Sequence, residues 1–399
     1  MHILILGAGI AGAACALTLQ RQGHRITVLE RQQAPDTMGG GVVLWPNASW
    51  VLEQMGLLDA VAAKAGTPVQ MRRLDRHGEL LSALDIGQLD RAMGQASHAI
   101  LRRDLQAILL GKLQELGVEV QYGRQVVSVS HGADQQARVH LSDGQVLQAD
   151  LILGAEGRMN SSARQFVLDG AASPRYQGFL NWVGMTQMPA DQPPLFDAIA
   201  IHDYLGQGLR FGIVPVSPHA FYWAGAQTAP LPPESAPPNL QTHLLDLFHD
   251  WPDPVRRVIK HSQPQAIRQI AIYDHDPIER WHRDNVLLVG DAAHAALPTS
   301  GQGACQALED AYHLAQCLQQ CLQGSDLETA LPAFTARRQT KTSQITLQAR
   351  AVAQALFNTD EHACRQRDEQ ARQADTRHIV AEMVRGWGSG LPLSTNICP

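Results

Sequence analysis

What most constrains this chain lies at its start. Ile3 to Leu6 form a four-residue apolar run that leads directly into Gly7, Gly9 and Gly12 at G-x-G-x-x-G spacing. A short apolar run ended by a turn signal reads as a buried parallel strand. The Ala- and Leu-rich stretch from Ala11 to about Gln22 predicts the helix that follows, stopped by Gly23. A second strand, Arg25 to Leu29, closes on Glu30. Each glycine has its own job in such a unit: one makes the tight turn, one lets backbone N–H groups approach a pyrophosphate, and one lets helix and strand pack closely. The helix N-terminus offers partial positive charge to phosphate, and the acid ending the second strand is placed to accept hydrogen bonds from a ribose diol. With strand, helix, strand and acid in register, the stretch predicts an adenine-dinucleotide site and not an ordinary glycine turn.

The chain has 399 residues, 45% hydrophobic and 18% charged, enough for two domains or one large elaborated one. Its net charge of −6 argues against a nucleic-acid surface and a polybasic membrane patch. No apolar run reaches the roughly 18 residues that span a bilayer. Met1-His2 leads straight into the first strand without a signal peptide, which predicts a cytoplasmic protein with reduced cysteines. The six cysteines form no CxxC pair. Asp274-His275-Asp276 would alternate faces in a strand, so a surface position is expected there and not a metal site.

Beyond the first unit, Gly39 to Gly41 read either as a plain loop or as backbone that approaches a flat ligand, and Pro46-Asn47 opens a helix. Residues 68 to 95 look like strands leaving the first domain. Arg102 precedes an amphipathic helix from Asp104 to Leu116. Gln125 to Ser130 and Arg138 to Leu141 read as strands, Asp143-Gly144 is a strong hairpin signal, and the strand Leu151 to Leu153 ends in GAEGRMNSSAR. Runs at Tyr176 to Trp182, Ala198 to His202, Leu209 to Val216 and Ala220 to Ala226 predict a mostly antiparallel sheet, followed by an exposed Pro-rich loop, Ala229 to Asn239. A buried strand, Val286 to Val289, then delivers Gly290-Asp291 at its carboxyl end, where α/β sheets collect ligands. Asp291 also reads as a helix cap and His294 as a structural histidine. Pro298 to Gly303 starts a long helix whose free N–H groups can face an anion or a polarised ring edge. Phe334 to about Leu356 and the tail read as helical.

GAGIAG with Glu30, GAEGRMNSSAR and GDAAHAALPTSGQG together resemble the motifs of the single-component (group A) FAD-dependent aromatic monooxygenases of the para-hydroxybenzoate hydroxylase fold. The match in order and spacing covers roughly the first 340 residues. LWPNASWVLEQMGL, YQGFLNWVG and RFGIVPVSPHAFYW are similar to segments of the urate hydroxylase and salicylate hydroxylase-like branch. The resemblance implies an α/β fold. A Rossmann-like FAD-binding domain would span 1–70, 98–170 and 268–330, with an inserted, mostly antiparallel β-sheet substrate domain at 71–97 and 171–267. C-terminal helices would fill 331–399.

It implies FAD held by Gly7, Gly9, Gly12, Glu30 and Arg31 at the ADP half, with Gly39, Gly41, Arg102 and Val127 also in contact. Asp291 would meet the pyrophosphate and ribityl chain, and Pro298, Gly301, Gln302, Gly303 and Ala304 the pyrimidine edge. Glu156 stands where that family's middle motif usually carries Asp. NADH or NADPH would bind transiently, since GQGLRFG and GWGSGL lack the spacing of a second fingerprint. The implied reaction reduces FAD, adds O₂ to give a flavin C4a-hydroperoxide, and transfers its distal oxygen to a small aromatic or N-heteroaromatic ring. Arg210 and Tyr222 would face that substrate, the Arg pairing with an anion and the Tyr hydrogen-bonding an oxygen; alternatively both simply belong to the sheet. The chain would act as a monomer or homodimer. Other readings are a urate hydroxylase specifically, an isoprenoid epoxidase or reductase of the same fold, and a non-enzymatic flavin-binding regulator. A halogenase of this fold would carry a WxWxIP-type motif, which no tryptophan here supplies.

Overall fold

The computed structural model describes residues 1–35, 40–132, 136–170, 173–191, 193–322 and 326–393, with backbone alone at 320–322. The chain begins as β1 (His2–Leu6), α1 (Ile10–Arg21) and β2 (Arg25–Leu29). Helix α1 is buried on nearly every side, and its small alanines let strand and helices close on it from all directions. β3 (Gly41–Leu44) leads into α2 (Pro46–Gln54), whose first residue is a proline, harmless where no N–H is needed.

β4 (Gln70–Asp75) and β5 (Leu80–Asp85) follow, and there the expected run of strands to 95 stops, replaced by α3 (Ile86–Met93). The reason is local: the Asp85 carboxylate accepts from Gln88 N–H as an N-cap, Ile86, Leu89 and Met93 fall on one buried helical face, and Gly94 ends the turn. Next come α4 (Arg102–Glu115), β6 (Leu151–Gly154), α5 (Ser162–Val167) and the long strand β7 (Arg175–Gln187). β8 (Ala200–Leu205), β9 (Leu209–Pro215) and β10 (Ala220–Thr228) continue the second sheet. After α6 (Leu240–Leu247), α7 (Asp253–Lys260), β11 (Arg268–Asp274) and β12 (Val286–Leu288), the chain ends in helices. These are α8 (Gly303–Leu322), α9 (Leu327–Leu356), α10 (Glu361–Gln373) and α11 (Thr376–Gly388).

Two sheets set up everything else. In the first, β12, β6, β1 and β2 lie side by side in parallel, flanked by Val120–Gln121 beyond β2 and an antiparallel pair, His282–Arg283, beyond β12. Their carboxyl ends therefore share one edge. The second runs β11-β7-β10-β9-β8-β4-β5, antiparallel except at β8–β4. β11, whose residues the sequence assigned to the cofactor domain, is hydrogen-bonded to β7 in this second sheet. One face of it places Trp182, Phe211, Ile213, Phe221 and Trp223 against Leu244, Phe248, Val255 and Val258 of the α6–α7 layer. The opposite face looks toward the first domain. Among the described residues no helix is long and apolar enough to cross a membrane.

The expected surface position of Asp274-His275-Asp276 is corrected by α9. Arg350 of that helix reaches down to bind Asp274 through Nε (2.7 Å) and Nη2 (2.9 Å), and Gln177 adds a third bond at 2.7 Å, so Asp274 is fully buried. His275 is buried too, its Nε2 2.6 Å from the Arg158 carbonyl oxygen, and Asp276 alone stays in solvent reach. Among the described residues no cluster of His, Cys, Asp and Glu is suited to a metal.

A dry ionic network joins the C-terminal helices to the first sheet. Arg338 on α9, fully buried, donates to Glu309 (2.6 Å) and Asp310 (2.8 Å) on α8. Lys341 donates to Glu309 (2.9 Å) and to the carbonyls of Trp387 and Ser389 at the end of α11. Burial works against both carboxylates, yet Lys341 and Arg338 hold Glu309, and His294 and Arg338 hold Asp310, below the ordinary carboxylate range. Groups with depressed folded-state values stabilise fully above the unfolded carboxylate range, near pH 4, and lose that contribution as pH falls. Arg338→Ala leaves two buried acids short of their cation and should cost about 3–5 kcal/mol in denaturant unfolding. It should also reduce the wild-type fall in stability on acidification from about pH 5 to about pH 2, where depressed carboxylates lose their contribution; a loss below about 1 kcal/mol would contradict the network's role.

Candidate active site

The three glycines of the first turn differ in what surrounds them. Gly7 sits at φ +107°, and a Cβ there would lie 2.5 Å from the Ala155 carbonyl oxygen at the end of the neighbouring strand. A Cβ on Gly12 would fall 1.9 Å from the Gly7 oxygen, so helix and turn touch through bare backbone. A Cβ on Gly9 would meet no protein atom within 4 Å. Two glycines are thus required by packing, and the third faces open space in front of the α1 N-terminus. Glu30 is fixed beside this turn: one oxygen accepts from Ala8 N–H and the other from Gln32 N–H, both at 2.9 Å. Arg31 is exposed next to it.

The second sheet edge loop, after β12, comes to the same place. Gly290, at φ +56°, is so tightly held that a Cβ would lie 2.6 Å from the Ala11 methyl of α1 and 3.8 Å from that of Ala307 on α8. The N-termini of both helices therefore converge around Gly290, and their partial positive charges add at one edge. Asp291, the next residue, receives Nη2 (2.6 Å) and Nε (3.1 Å) of Arg158. Burial opposes its charge, but Arg158, His294 and Arg102 hold it below the usual carboxylate value, so it is an anion at neutral pH. Arg102 opens α4, and its N–H donates to the Gly40 carbonyl at 3.1 Å. His294 is the structural histidine, with Nε2 2.7 Å from Asp310.

At the start of α8, Trp45 Nε1 donates to the Gly301 carbonyl at 3.0 Å and packs against Trp387, pinning the turn after Pro298. A Cβ on Gly303 would meet nothing within 4 Å, like that on Gly9. Gln302 is buried; its Oε1 accepts from Asn47 (3.0 Å) and Gln306 (2.9 Å), and its Nε2 has no partner among the described residues. Ala304 is partly accessible beside it, while the Cys305 thiol is buried and pushed up to about 12 by desolvation, which makes it inert. Open space at two helix N-termini, an unpartnered amide donor at the start of one of them and the Glu30 carboxylate beside the other fit the dinucleotide and ring system of FAD.

The remaining expected contacts are distributed less simply. Glu156 spends both oxygens capping α5, accepting from Ser162 N–H (3.0 Å), Ala163 N–H (3.0 Å) and the Ser161 hydroxyl (2.7 Å). Burial raises its carboxyl, against those bonds and the charge of Arg31. Val127 lies half-exposed where the register shifts in the small sheet of Val126–His131 and Ala137–Leu141. Gly39 lies outside the described residues. Gly41 is explained by a side chain: a Cβ there would overlap the Tyr222 ring, 2.0 Å from its Cδ1.

Tyr222 belongs to the second sheet's inner face, and strand register shows what shares that face. Arg210, Ala226 and Asn181 form one cross-strand row, and Asp203, Gly212, Ala224 and Val183 form the next on that face. Tyr222 pairs with Val214 beyond them, so Arg210 and Tyr222 stand on the same face, four residues apart along β9, about 13 Å at the rise of a strand. Between them the floor is Gly212 and Ala224. Both stay partly accessible in the middle of the sheet, as do Val183 and Tyr222, which marks a hollow above small residues. Arg210 Nε donates to Asp203 at 2.6 Å, and the acid is 7% exposed. Burial pushes the Tyr222 phenol far up from its ordinary value, so it stays protonated.

Sequence reasoning passed over Arg158, although it sits inside the quoted GAEGR motif. It also passed over Asp203 and Gly212, for which no local signal exists.

A family model described as FAD binding domain matches residues 1–349. The FAD-dependent urate hydroxylase of Klebsiella pneumoniae is 30% identical over 88% of this chain and 89% of its own length. The 3-amino-4-hydroxybenzoate 2-monooxygenase of Streptomyces cremeus is 31% identical over 100% of this chain and 98% of its own. The crystal structure of Klebsiella pneumoniae HpxO complexed with FAD and uric acid superposes with a TM-score of 0.87 at 27% identity, covering 98% of this chain and 97% of that one.

The glycine geometry yields a separable prediction. Gly9→Val adds a side chain whose Cβ meets no protein atom within 4 Å, so the apoprotein should keep its melting temperature within about 2 °C, a surface-like effect. FAD bound per chain, read as the ratio of flavin to protein absorbance, should fall at least about tenfold, since a bulky group would stand where phosphate approaches. Full flavin content in that variant would remove the turn from the binding site.

Proposed function

The chain belongs to the FAD binding domain family and is an FAD-dependent monooxygenase, and from that premise we propose that it uses NAD(P)H and O₂ to hydroxylate a small, planar, anionic aromatic or N-heteroaromatic ring lying between Arg210 and Tyr222. The hollow over Gly212 and Ala224 carries this reading: it lies on the inner face of the second sheet over two small residues, and has a cation at one end and a protonated phenol at the other. When bound, FAD supplies the redox chemistry, passing electrons from the nicotinamide to oxygen and an activated oxygen atom to the ring.

The side chains supply binding, orientation and exclusion of water. Asp203 accepts the Arg210 Nε–H hydrogen bond and so aims the rest of the guanidinium fork, whose terminal donors suit a carboxylate or ring oxyanion. Arg73 stands beside Asp203 in the adjoining strand on that face, so two cations oppose one acid and the local balance favours an anion. Tyr222, held protonated by burial, can donate to a substrate oxygen and stabilise charge that grows there as the ring is attacked. Leu297 and the α9 residues Ala349 and Ala353 close one end of the sheet face, and Gly41 against Tyr222 closes the other. The second sheet is in this reading the substrate-binding unit, with β11 included. Urate is one anion of the proposed class; phenolic acids, quinolones and nicotinates are others.

The decisive assay follows NAD(P)H consumption in air with phenolic acids, quinolones, nicotinates and urate, measuring product beside peroxide. Stimulation with hydroxylated product supports the reading. A flavin-loaded protein that no ring compound stimulates would instead be a flavin-binding regulator. Losing a charge-assisted pair costs about 1.5–3 kcal/mol, so Arg210→Met should raise KM roughly 10–100-fold or divert reducing equivalents to peroxide. Unchanged coupling with the true substrate would remove Arg210 from the site. Tyr222→Phe should lower kcat more than it raises KM, and the wild-type profile should show no ionisation of Tyr222 between pH 7 and 10.

A further inference from the structure

We propose that Asn181 is a specificity-determining residue of the substrate site, its side-chain carbonyl accepting a hydrogen bond from an N–H or O–H on the ring of the substrate. This rests on the reading of the hollow just given and adds a chemical requirement to it.

Asn181 lies in the middle of β7 and is 8% exposed. Its neighbour Trp182 points into the opposite layer against α6 and α7, so by alternation Asn181 points to the inner face, in one cross-strand row with Ala226 and Arg210. Only the small Ala226 separates the two, which puts the amide and the guanidinium two strands apart, about 10 Å, on the same rim of the hollow. Among the described residues the Asn181 Oδ1 has no hydrogen-bond partner. Trp182 Nε1 next to it is satisfied by Gln269, and Trp223 Nε1 by Ser262, while Arg73 Nε on β4 of this sheet is also buried without a partner among the described residues.

A buried carbonyl without a donor destabilises a fold, and a leucine would fill similar space without that penalty. Such a residue makes sense where a ligand completes it. The requirement that follows is for a donor on the same small ring as the anion that Arg210 holds, since both side chains reach inward across the roughly 10 Å between their strands. Lactam-type N-heteroaromatics, with a ring N–H, and hydroxylated rings meet it; a ring bearing only an N-methyl at that position does not. Rejection is stronger than a missing contact would suggest, because a substrate without the donor leaves the amide unpaired in a closed site.

The test uses flavin-loaded protein and two matched probes, 6-oxo-1,6-dihydropyridine-3-carboxylate and its N-methyl derivative, with affinities read from the perturbation of flavin absorbance. Wild type should favour the N–H compound at least tenfold, and both Asn181→Leu and Asn181→Ala should bring that ratio near one. A structural asparagine would behave otherwise, so the ligand-free melting temperature is measured in parallel: Asn181→Leu should match or exceed wild type. A lower melting temperature in Asn181→Leu, or a preference ratio unaltered by either substitution, overturns the proposal. Loss of binding in Arg210→Met with none of these changes at Asn181 overturns it alone and leaves the aromatic-substrate reading standing. Wild type that retains FAD and binds neither probe nor any ring compound of the panel overturns both.

Discussion

The structure hangs on a carboxylate that never meets water. Asp310 accepts from Gly290 N–H and from His294 with one oxygen, each at 2.7 Å, and from Arg338 with the other. One side chain thus fixes the loop at the end of β12, the turn that follows it and the helix α9 that arrives from the far end of the chain. Its neighbour Glu309 does the same for Asn47 on α2 and, through Lys341, for the carbonyl end of α11. A hydrophobic plug of equal volume could give as much stability. It could not dictate which backbone N–H lies beside which helix, and the two helix N-termini must be placed to within a fraction of an ångström if both are to face one ligand.

From that anchoring the site is built by two different omissions. On the cofactor side, bare backbone at Gly7, Gly12 and Gly290 lets elements approach until a single methyl would collide, and the space left at Gly9 and Gly303 is what remains for a ligand. On the proposed substrate side the omission is in a sheet. Gly212 and Ala224 lower the floor between Arg210 and Tyr222, while the other face of the same strands carries tryptophans and phenylalanines that keep it rigid. A hollow in a regular sheet is stiffer than one formed by loops, which suits a reaction in which a ring must be held against a reactive atom.

Legibility in the sequence followed the range of the interactions. The β1–α1–β2 unit, the hairpin at Asp143-Gly144 and the four central strands of the second sheet show in their residues because periodicity and turn chemistry act within a few positions. Helix α3 was hidden because eight residues carry barely two turns of pattern next to two genuine strands. The membership of β11 and the burial of Asp274 were hidden for another reason: β7 and Arg350, which decide them, lie far away in sequence. Glu156 was legible as an acid in the right motif, yet its partners turn out to be the backbone of the very next helix. Asn181 shows the limit most sharply, since nothing near it in sequence tells that its carbonyl goes unmatched.

In the proposed reading, strand β3 makes cofactor placement and substrate recognition a single mechanical problem. Its first residue, Gly41, lies against the Tyr222 ring with no room for a methyl, and Gly40 would touch Val183 of the hollow's floor. The Gly40 carbonyl accepts from Arg102 N–H at the start of α4, and the Arg102 charge bears on Asp291 after β12. Any displacement of the phenol by a bound ring is therefore passed to backbone, not to a pliable side chain. The backbone it reaches is tied to the helix end and the acid that the proposed reading turns toward the cofactor. In a packed interior such a chain of contacts has few ways to relax, so a ring that fits the hollow and a flavin that fits its cradle each narrow the positions open to the other.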